Sequence, residues 1–265
     1  MKIGVLITAR LKSTRLPLKL LLHIGSKPVI DHVIERAKLV SRIDQIVLCT
    51  STNPQDSPLV DAAHAQRIHY FMGHPDDVLL RLYEAATFYR LDYVLSITAD
   101  NPFFAIEYAN LLTNEALLRK PDFMYVDGLP LGASLYGIRY EALKTVVAFK
   151  EGTDSDTEIW GYWLNQPHIF DVRVIKARNE EYRDVRLTLD TYEDLQYLQQ
   201  LGEILGERHS LGSILSEIDR LPYASLFNRN VVQKQLASDK KTEIERLYEV
   251  QMERLLLLKE QIYRS

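Results

Sequence analysis

Residues 1–20 read MKIGVLITARLKSTRLPLKL, and the fold follows from how this stretch is divided. Lys2 to Thr8 is a short apolar run of strand length that stops abruptly at Ala9. The next eleven residues carry Arg10, Lys12, Arg15 and Lys19, with Ser13, Thr14 and Pro17, and contain no acid. In open α/β sheets ligands sit outside the carboxyl ends of the strands. A loop there that is rich in cations and hydroxyls suits a multiply charged anion such as a nucleoside triphosphate. A solvated connection carries the same kind of charge, so charge alone leaves both readings open.

Outward from this stretch, strands and helices alternate. Pro28 opens a helical pattern through Val29, Val33, Ile34 and Ala37, with Pro at the first turn, where its missing N–H costs nothing. Ile46 to Thr50 reads as a second strand. Ser57 is expected to cap a helix from Leu59, and IHYF (68–71) makes a third strand. Gly73 to Pro75 is a turn, followed by a helix with Val78, Leu79, Leu82 and Ala86 on its inner face; Asp76 and Asp77 lie where carboxylates complement the helix dipole. Tyr93 to Thr98 is the strongest central-strand candidate, and it runs into Ala99-Asp100-Asn101-Pro102. Such alternation implies a mostly parallel sheet.

Further on, residues 122–138 are broken by turn residues at Gly128, Pro130, Gly132 and Gly137. Helical stretches are expected at Glu141–Phe149 and Ser155–Leu164, then a half-exposed strand around Phe170, Val172 and Val174. Trp160, Tyr162 and Trp163 read as packing residues before ligand-stacking ones. Val185 to Leu189 is expected to be a strand delivering Asp190, with Thr191 capping the next helix and Glu193 and Asp194 in its first turn. Pro222 and the polar stretch at Asn228–Asn230 read as a connector. Lys240–Arg264 is a helical pattern whose stripe of Tyr248, Met252, Leu255, Leu258 and Ile262 suits packing on the domain or on a partner subunit, which points to a homodimer.

Composition narrows the function class. A chain of 265 residues with 46% hydrophobic and 26% charged side chains has the make-up of a globular protein with a sizeable core. A formal charge of -4 from 32 basic and 36 acidic residues argues against a broad nucleic-acid or membrane surface, so the basic loop is a local feature. The single Cys49, in the apolar run IVLCT, excludes an internal disulfide framework or a thiolate-rich metal site and reads as core. No segment has the length of a membrane span, and the first apolar run is too short for a signal-peptide core, so the cytoplasm is the expected location. Neither G-x-G-x-x-G after a strand nor G-x-x-x-x-G-K-[ST] occurs, and the seven His show no H-E-x-x-H spacing. These absences remove the usual supports for hydride transfer, a P-loop and zinc hydrolysis.

The segment ITARLKSTRLPLK resembles the signature (I/P)-x-A-R-x-x-S-(T/K)-R-L-P-x-K of the CMP-sugar cytidylyltransferases, the acylneuraminate and 3-deoxy-manno-octulosonate type. The match is closest to the spore coat polysaccharide biosynthesis protein F branch. Arg10, Ser13, Thr14, Arg15, Leu16, Pro17 and Lys19 fall in register. Leu18 stands where the family has Gly, and since a Cβ resists positive φ the detail of the loop stays open there. Two further segments match: TADNP resembles the family's T-x-D-x-P element, and RLTLDTYEDL its (R/G)-(L/I)-x-(L/V)-D-T-x-E-D-L. The stretch GHPDDVLLR resembles the family's G-x-x-x-D-V-L-x-R, near the nucleotide.

The resemblance implies a three-layer α/β nucleotidyltransferase fold (GT-A-like, Rossmann-like) over residues 1–205, with a helical C-terminal extension over 206–265. It implies a magnesium-dependent enzyme that transfers CMP from CTP to an acidic sugar of nonulosonic or 3-deoxy-octulosonic type, releasing pyrophosphate, for surface polysaccharide synthesis. Arg10, Arg15, Lys19 and Asp100 are the implied catalytic residues. Ala9, Arg10, Ser13, Thr14, Arg15, Lys19, Gly73 and Arg81 are implied at the nucleotide, and Asp100 and Asp190 at Mg2+. Two alternatives stay open: a nucleotidyltransferase acting on a sugar or polyol phosphate, and a non-catalytic nucleotide-binding relative.

Overall fold

The structure is a computed structural model that describes residues 1–151, 157, 159–205, 210–221 and 227–264. Its elements run β1 (Ile3–Thr8), β2 (His23–Ile24), β3 (Lys27–Pro28), α1 (Val29–Ala37), β4 (Gln45–Ser51), α2 (Ser57–Ala65), β5 (His69–Gly73), α3 (Val78–Phe88), β6 (Tyr93–Thr98), α4 (Ile106–Arg119), β7 (Phe123–Asp127) and β8 (Tyr136–Arg139). They continue with α5 (Tyr140–Phe149), α6 (Gly161–Leu164), β9 (Val172–Lys176), α7 (Tyr192–Leu205), α8 (Leu211–Arg220), α9 (Ser238–Val250) and α10 (Met252–Arg264). Seven strands form one sheet in the order β5-β4-β1-β6-β8-β7-β9. All neighbours are parallel except β8, which runs against both β6 and β7.

β1 shows why the fold has three layers. All six of its residues are buried, as expected for a central strand covered on both faces. Because side chains alternate, Ile3, Val5 and Ile7 enter one core with residues of α1, α2, α4, α7 and α8, whereas Leu6 enters a second core with residues of α3, α5, α6, α9 and α10. Cys49 on β4 is buried in that second core, and burial pushes its thiol up to about 12, so it acts as a packing residue. No described helix is long and apolar enough to cross a membrane.

The structure corrects several local expectations. Ser57 is the first residue of α2 and does not cap it; Asp56 precedes it, after a short turn at Pro54–Asp56. Val185–Leu189 joins no sheet: Arg186 pairs with Leu131 in an isolated bridge, and the N–H groups of Leu187 and Leu189 donate to the carbonyls of Leu131 (2.7 Å) and Asp100 (2.8 Å). Asp190 is therefore presented by a segment clamped between two loops. The long C-terminal helix is two helices that break at Gln251. Ser155, where a helix was expected to start, Pro222, and the first residues of the extension beyond Leu205 lie outside the described residues.

The apolar stripe of the last helices folds back on its own chain. Tyr248, Leu255 and Ile262 are buried, with Met252 and Leu258 packed beside them. Tyr248 stacks on Phe149 and donates its hydroxyl to the Trp163 carbonyl at 2.7 Å. Tyr263 donates to Asp122 at 2.8 Å, and Lys259 lies 3.2 Å from the same buried carboxylate. These contacts take the apolar face inward, so a homodimer would have to use another surface.

Candidate active site

The chain leaves β1 toward β4 and β5 on one side and returns to β6 on the other, so the strand order reverses between β1 and β6. A crevice at the carboxyl ends of these two strands is where such sheets bind ligands. Thr8 and Thr98 are opposite each other in the ladder, and the Ala9 N–H donates to Cys49 O at 3.0 Å. Beyond Ala9 the loop is anchored by burial of Leu11 and Leu20, and the Leu11 N–H donates to the buried Asp56 carboxylate at 2.7 Å. Between these anchors the Ser13 hydroxyl accepts from the Leu16 N–H at 3.2 Å.

Leu18 adopts φ 54°, ψ 24°, the left-handed conformation in which glycine is at ease. A single left-handed L residue costs about 1–2 kcal/mol. Half exposed, Leu18 has few buried contacts to lose by doing so. It leads into a single turn, Lys19–Leu21, that sends Lys19 inward while Leu20 is buried.

Lys19 is the centre of the site. Its ammonium donates to Asp100 Oδ2 at 2.8 Å, to Asp190 Oδ1 at 3.0 Å and to the Leu189 carbonyl at 2.7 Å. Two carboxylates separated by 90 residues thus meet on one cation. Arg15 lies 3.0 Å from Asp190 Oδ1, and Arg186 3.3 Å from Asp190 Oδ2. Burial would raise the Asp190 carboxyl, but the charges of Lys19, Arg15 and Arg186 outweigh it and hold the group below the usual carboxylate range. Burial likewise disfavours the Lys19 ammonium, and Asp100 and Asp190 outweigh that, raising it.

Around this point lies a cleft of about 660 Å³. Among the described residues, Arg10, Lys12, Arg15, Lys19, Arg81 and Lys234 line it with two carboxylates, Asp100 and Asp190, a lining that suits an anion of high charge. Ala9, Ser13 and Thr14 line it as well. Gly73 does not: it ends β5, and a Cβ there would come 3.0 Å from Arg81 Cγ, so it makes room for the arginine stem. Arg81 is buried and donates to the His74 carbonyl at 2.6 Å; burial and then the nearby Arg10 charge lower it. Arg10 donates to the carbonyl of Pro75 and to Asp76 at 3.2 Å, which joins the first loop to the turn before α3. Asp77, not Asp76, caps α3, accepting from the Leu80 N–H at 3.0 Å.

Two hard carboxylate groups converging on one cation form a donor set that magnesium accepts, since it prefers one or two carboxylates with water and substrate oxygens completing its shell. No group of three or more His, Cys, Asp or Glu gathers among the described residues.

Sequence reading missed the support beneath Asp190. Asp194 is fully buried and accepts from the N–H groups of Asp190 (2.9 Å) and Thr191 (3.1 Å), a role beyond a favourable charge near the helix dipole. Arg186 donates to it through Nε at 3.1 Å. Asn228 donates to Asp194 at 2.9 Å and to the Arg186 carbonyl at 3.1 Å, so the supposed connector carries a buried anchor. Gly132, at φ 91°, would place a Cβ 2.6 Å from Thr188 N, so only glycine lets this loop press on the segment that presents Asp190. The D-T-x-E-D order was visible in the sequence; that its last acid turns back on the first was not.

Comparison with known proteins bears on the family and the fold. A cytidylyltransferase family model matches residues 4–262 and so continues through the C-terminal helices. The chain is 27% identical over 229 residues to the spore coat polysaccharide biosynthesis protein SpsF of Bacillus subtilis, covering 83% of this chain and 95% of that protein. It is 38% identical over 103 residues to the 3-deoxy-manno-octulosonate cytidylyltransferase of Oleidesulfovibrio alaskensis, over 37% of this chain and 39% of that one. In fold it is similar to the solved cytidylyltransferase of Leptospira borgpetersenii, with a TM-score of 0.78 at 23% identity over 89% of this chain and all of that one. The chain belongs to the cytidylyltransferase family.

Proposed function

We propose that this protein transfers a cytidylyl group from CTP to a hydroxyl of an acidic sugar. The sugar oxygen attacks the α-phosphate, the bond to the β-phosphate breaks, pyrophosphate leaves, and the hydroxyl gives up its proton. The observation that carries this reading is the meeting of Lys19 with Asp100 and Asp190, which sets the basic loop against two carboxylates, one just beyond the end of β6 and one from the clamped segment, at the point where the strand order reverses. Phosphoryl-type transfers ask a protein chiefly to position reactants and to neutralise charge on phosphate oxygens. Arg10 and Arg15 have planar groups able to grip two oxygens, and Lys19 is a compact charge. Asp100 and Asp190 would hold magnesium, which when bound lowers the charge barrier between the anionic acceptor and the α-phosphate. An acidic acceptor is favoured by the surplus of cations in the cleft and by the name of the Oleidesulfovibrio relative.

The test is pyrophosphate release with magnesium, a panel of nucleoside triphosphates, and acidic, neutral and phosphorylated sugars. Turnover with CTP and an acidic sugar is expected, and Arg15→Ala should reduce it by about two orders of magnitude. Turnover only with a phosphorylated acceptor, or nucleotide binding without turnover, would overturn the proposal.

A further inference from the structure

The two oxygens of Asp190 have different surroundings. Oδ1 meets the cations of the cleft: the Lys19 ammonium donates to it at 3.0 Å and Arg15 lies 3.0 Å away. The same ammonium holds Asp100 Oδ2 at 2.8 Å, so Oδ1 is the Asp190 oxygen that shares a point with Asp100. Oδ2 meets a separate cation, Arg186, through Nη2 at 3.3 Å. That guanidinium is buried and held on every branch. Its Nε donates to Asp194 Oδ1 at 3.1 Å, its Nη2 is shared between Asp190 and Asp194 Oδ2, and its Nη1 donates to Gln233 Oε1 at 2.9 Å. Asp194 is fixed in turn: fully buried, it accepts from Asn228 at 2.9 Å and from the N–H groups of Asp190 and Thr191.

We infer that Arg186 reserves Oδ2 of Asp190, so that this carboxylate offers a divalent cation one oxygen, and that the pair Asp100 and Asp190 thereby selects magnesium over calcium. The inference deepens the magnesium-dependent transferase reading above and rests on it. Magnesium demands a near-ideal octahedral shell and binds through one or two carboxylates while keeping several waters; calcium takes roughly six to eight oxygens and accepts both oxygens of one carboxylate. Asp100 and Asp190 are hard donors for either ion, so the difference lies in how many oxygens Asp190 gives. A carboxylate with one oxygen engaged by a buried guanidinium does not chelate through both. The planar fork of an arginine can hold two carboxylates in a set orientation, which the point charge of a lysine cannot do. Groups behind a metal ligand fix its orientation, and losing one costs about 10–100-fold in metal affinity. Arg186 acts through Asp190 and is a positioning residue.

The test is Arg186→Lys in the full chain. It keeps the charge, but one ammonium cannot serve both carboxylates; the fully buried Asp194 holds it, because an unpaired buried charge is the costlier of the two, while Asp190 still has Lys19 and Arg15. Electron paramagnetic resonance of Mn2+ titrated into the protein, with Mg2+ and Ca2+ as competitors, gives a Kd for each ion without any turnover. The Mg2+ Kd should rise about 10–100-fold and the Ca2+ Kd should stay level or fall, so the preference for Mg2+ should drop by at least about tenfold. A general loosening of the site would weaken both ions alike and leave the ratio unchanged, and an unchanged ratio overturns the inference. So would Asp190→Asn that binds Mn2+ as wild type does, since it takes Asp190 away from the ion. Should the lysine protein fail to fold, Arg186→Gln, whose amide keeps one donor for Asp194, is expected to lower the same ratio. Wild-type protein that binds Mn2+ through Asp190 yet turns over no acceptor would refute the transferase reading and leave the role of Arg186 to be decided by the ratio.

Discussion

Lys19→Met removes the ammonium that joins Asp100 and Asp190 while keeping a side chain of similar length. The lysine side chain is 13% exposed and makes three bonds of 2.7–3.0 Å, two of them to carboxylates. Removing one partner of a buried ion pair costs about 3–5 kcal/mol. Asp100 is 24% exposed, so water recovers part of its loss, and Asp190 keeps Arg15 and Arg186. The expected loss is therefore at the low end, about 3 kcal/mol, or roughly 6–12 °C in melting temperature for a chain of this size. Thermal and urea unfolding with EDTA measure it. Millimolar magnesium should return part of the loss to the mutant, because a divalent ion can take the place of the missing charge between the carboxylates. Asp100→Asn in the same background should be less harmful than in wild type, since it relieves an uncompensated carboxylate. Turnover should fall at least about a hundredfold. A Lys19→Met protein that melts within about 2 °C of wild type, with or without magnesium, would refute the reasoning, since by the same conversion that is under 1 kcal/mol.

Asp100→Asn and Asp190→Asn should each lose most turnover without rescue by excess CTP; near-normal magnesium-dependent activity in either would remove that residue from the metal site. The Asp190 carboxyl is held below its ordinary value, so its pairing contributes fully above about pH 4 and is lost as pH falls through the lower folded value; an acid titration of stability should be shallower in Asp190→Asn. Leu18→Gly should stabilise the protein by up to about 1 kcal/mol by relieving the left-handed leucine, net of glycine's greater freedom when unfolded, and a loss of more than that in urea unfolding would give the leucine side chain a role of its own. Leu255→Ala should cost about 2–5 kcal/mol as a core truncation with no change of mass in light scattering; a change of mass at unaltered stability would restore the stripe to an interface.

Much was legible in the chain itself, because the signals were local. The apolar run of β1, the alternation of strand and helix, Tyr93–Thr98 as a central strand and the cation-rich loop after Ala9 each lie within a few residues, and strand ends in a parallel sheet share one edge. Asp100 and Asp190 do meet on Lys19, but Asp190 comes from a segment outside the sheet, so the shared edge of strand ends accounts for Asp100 alone. Three things depended on tertiary packing. The stripe of Tyr248, Leu255 and Ile262 is the same in sequence whether it covers a partner or its own domain, and only the apolar surfaces of Phe149 and Trp163 decided for the latter. Val185–Leu189 has the composition of a strand, but strand identity needs a neighbour, and its hydrogen bonds go to the loops at Leu131 and Asp100 instead. The hub at Arg186, which ties Asp190, Asp194, Asn228 and Gln233 together, draws on residues up to 47 positions apart. No spacing rule connects residues so distant along the chain; their meeting is set by how α7 and the stretch before α9 pack around one buried guanidinium.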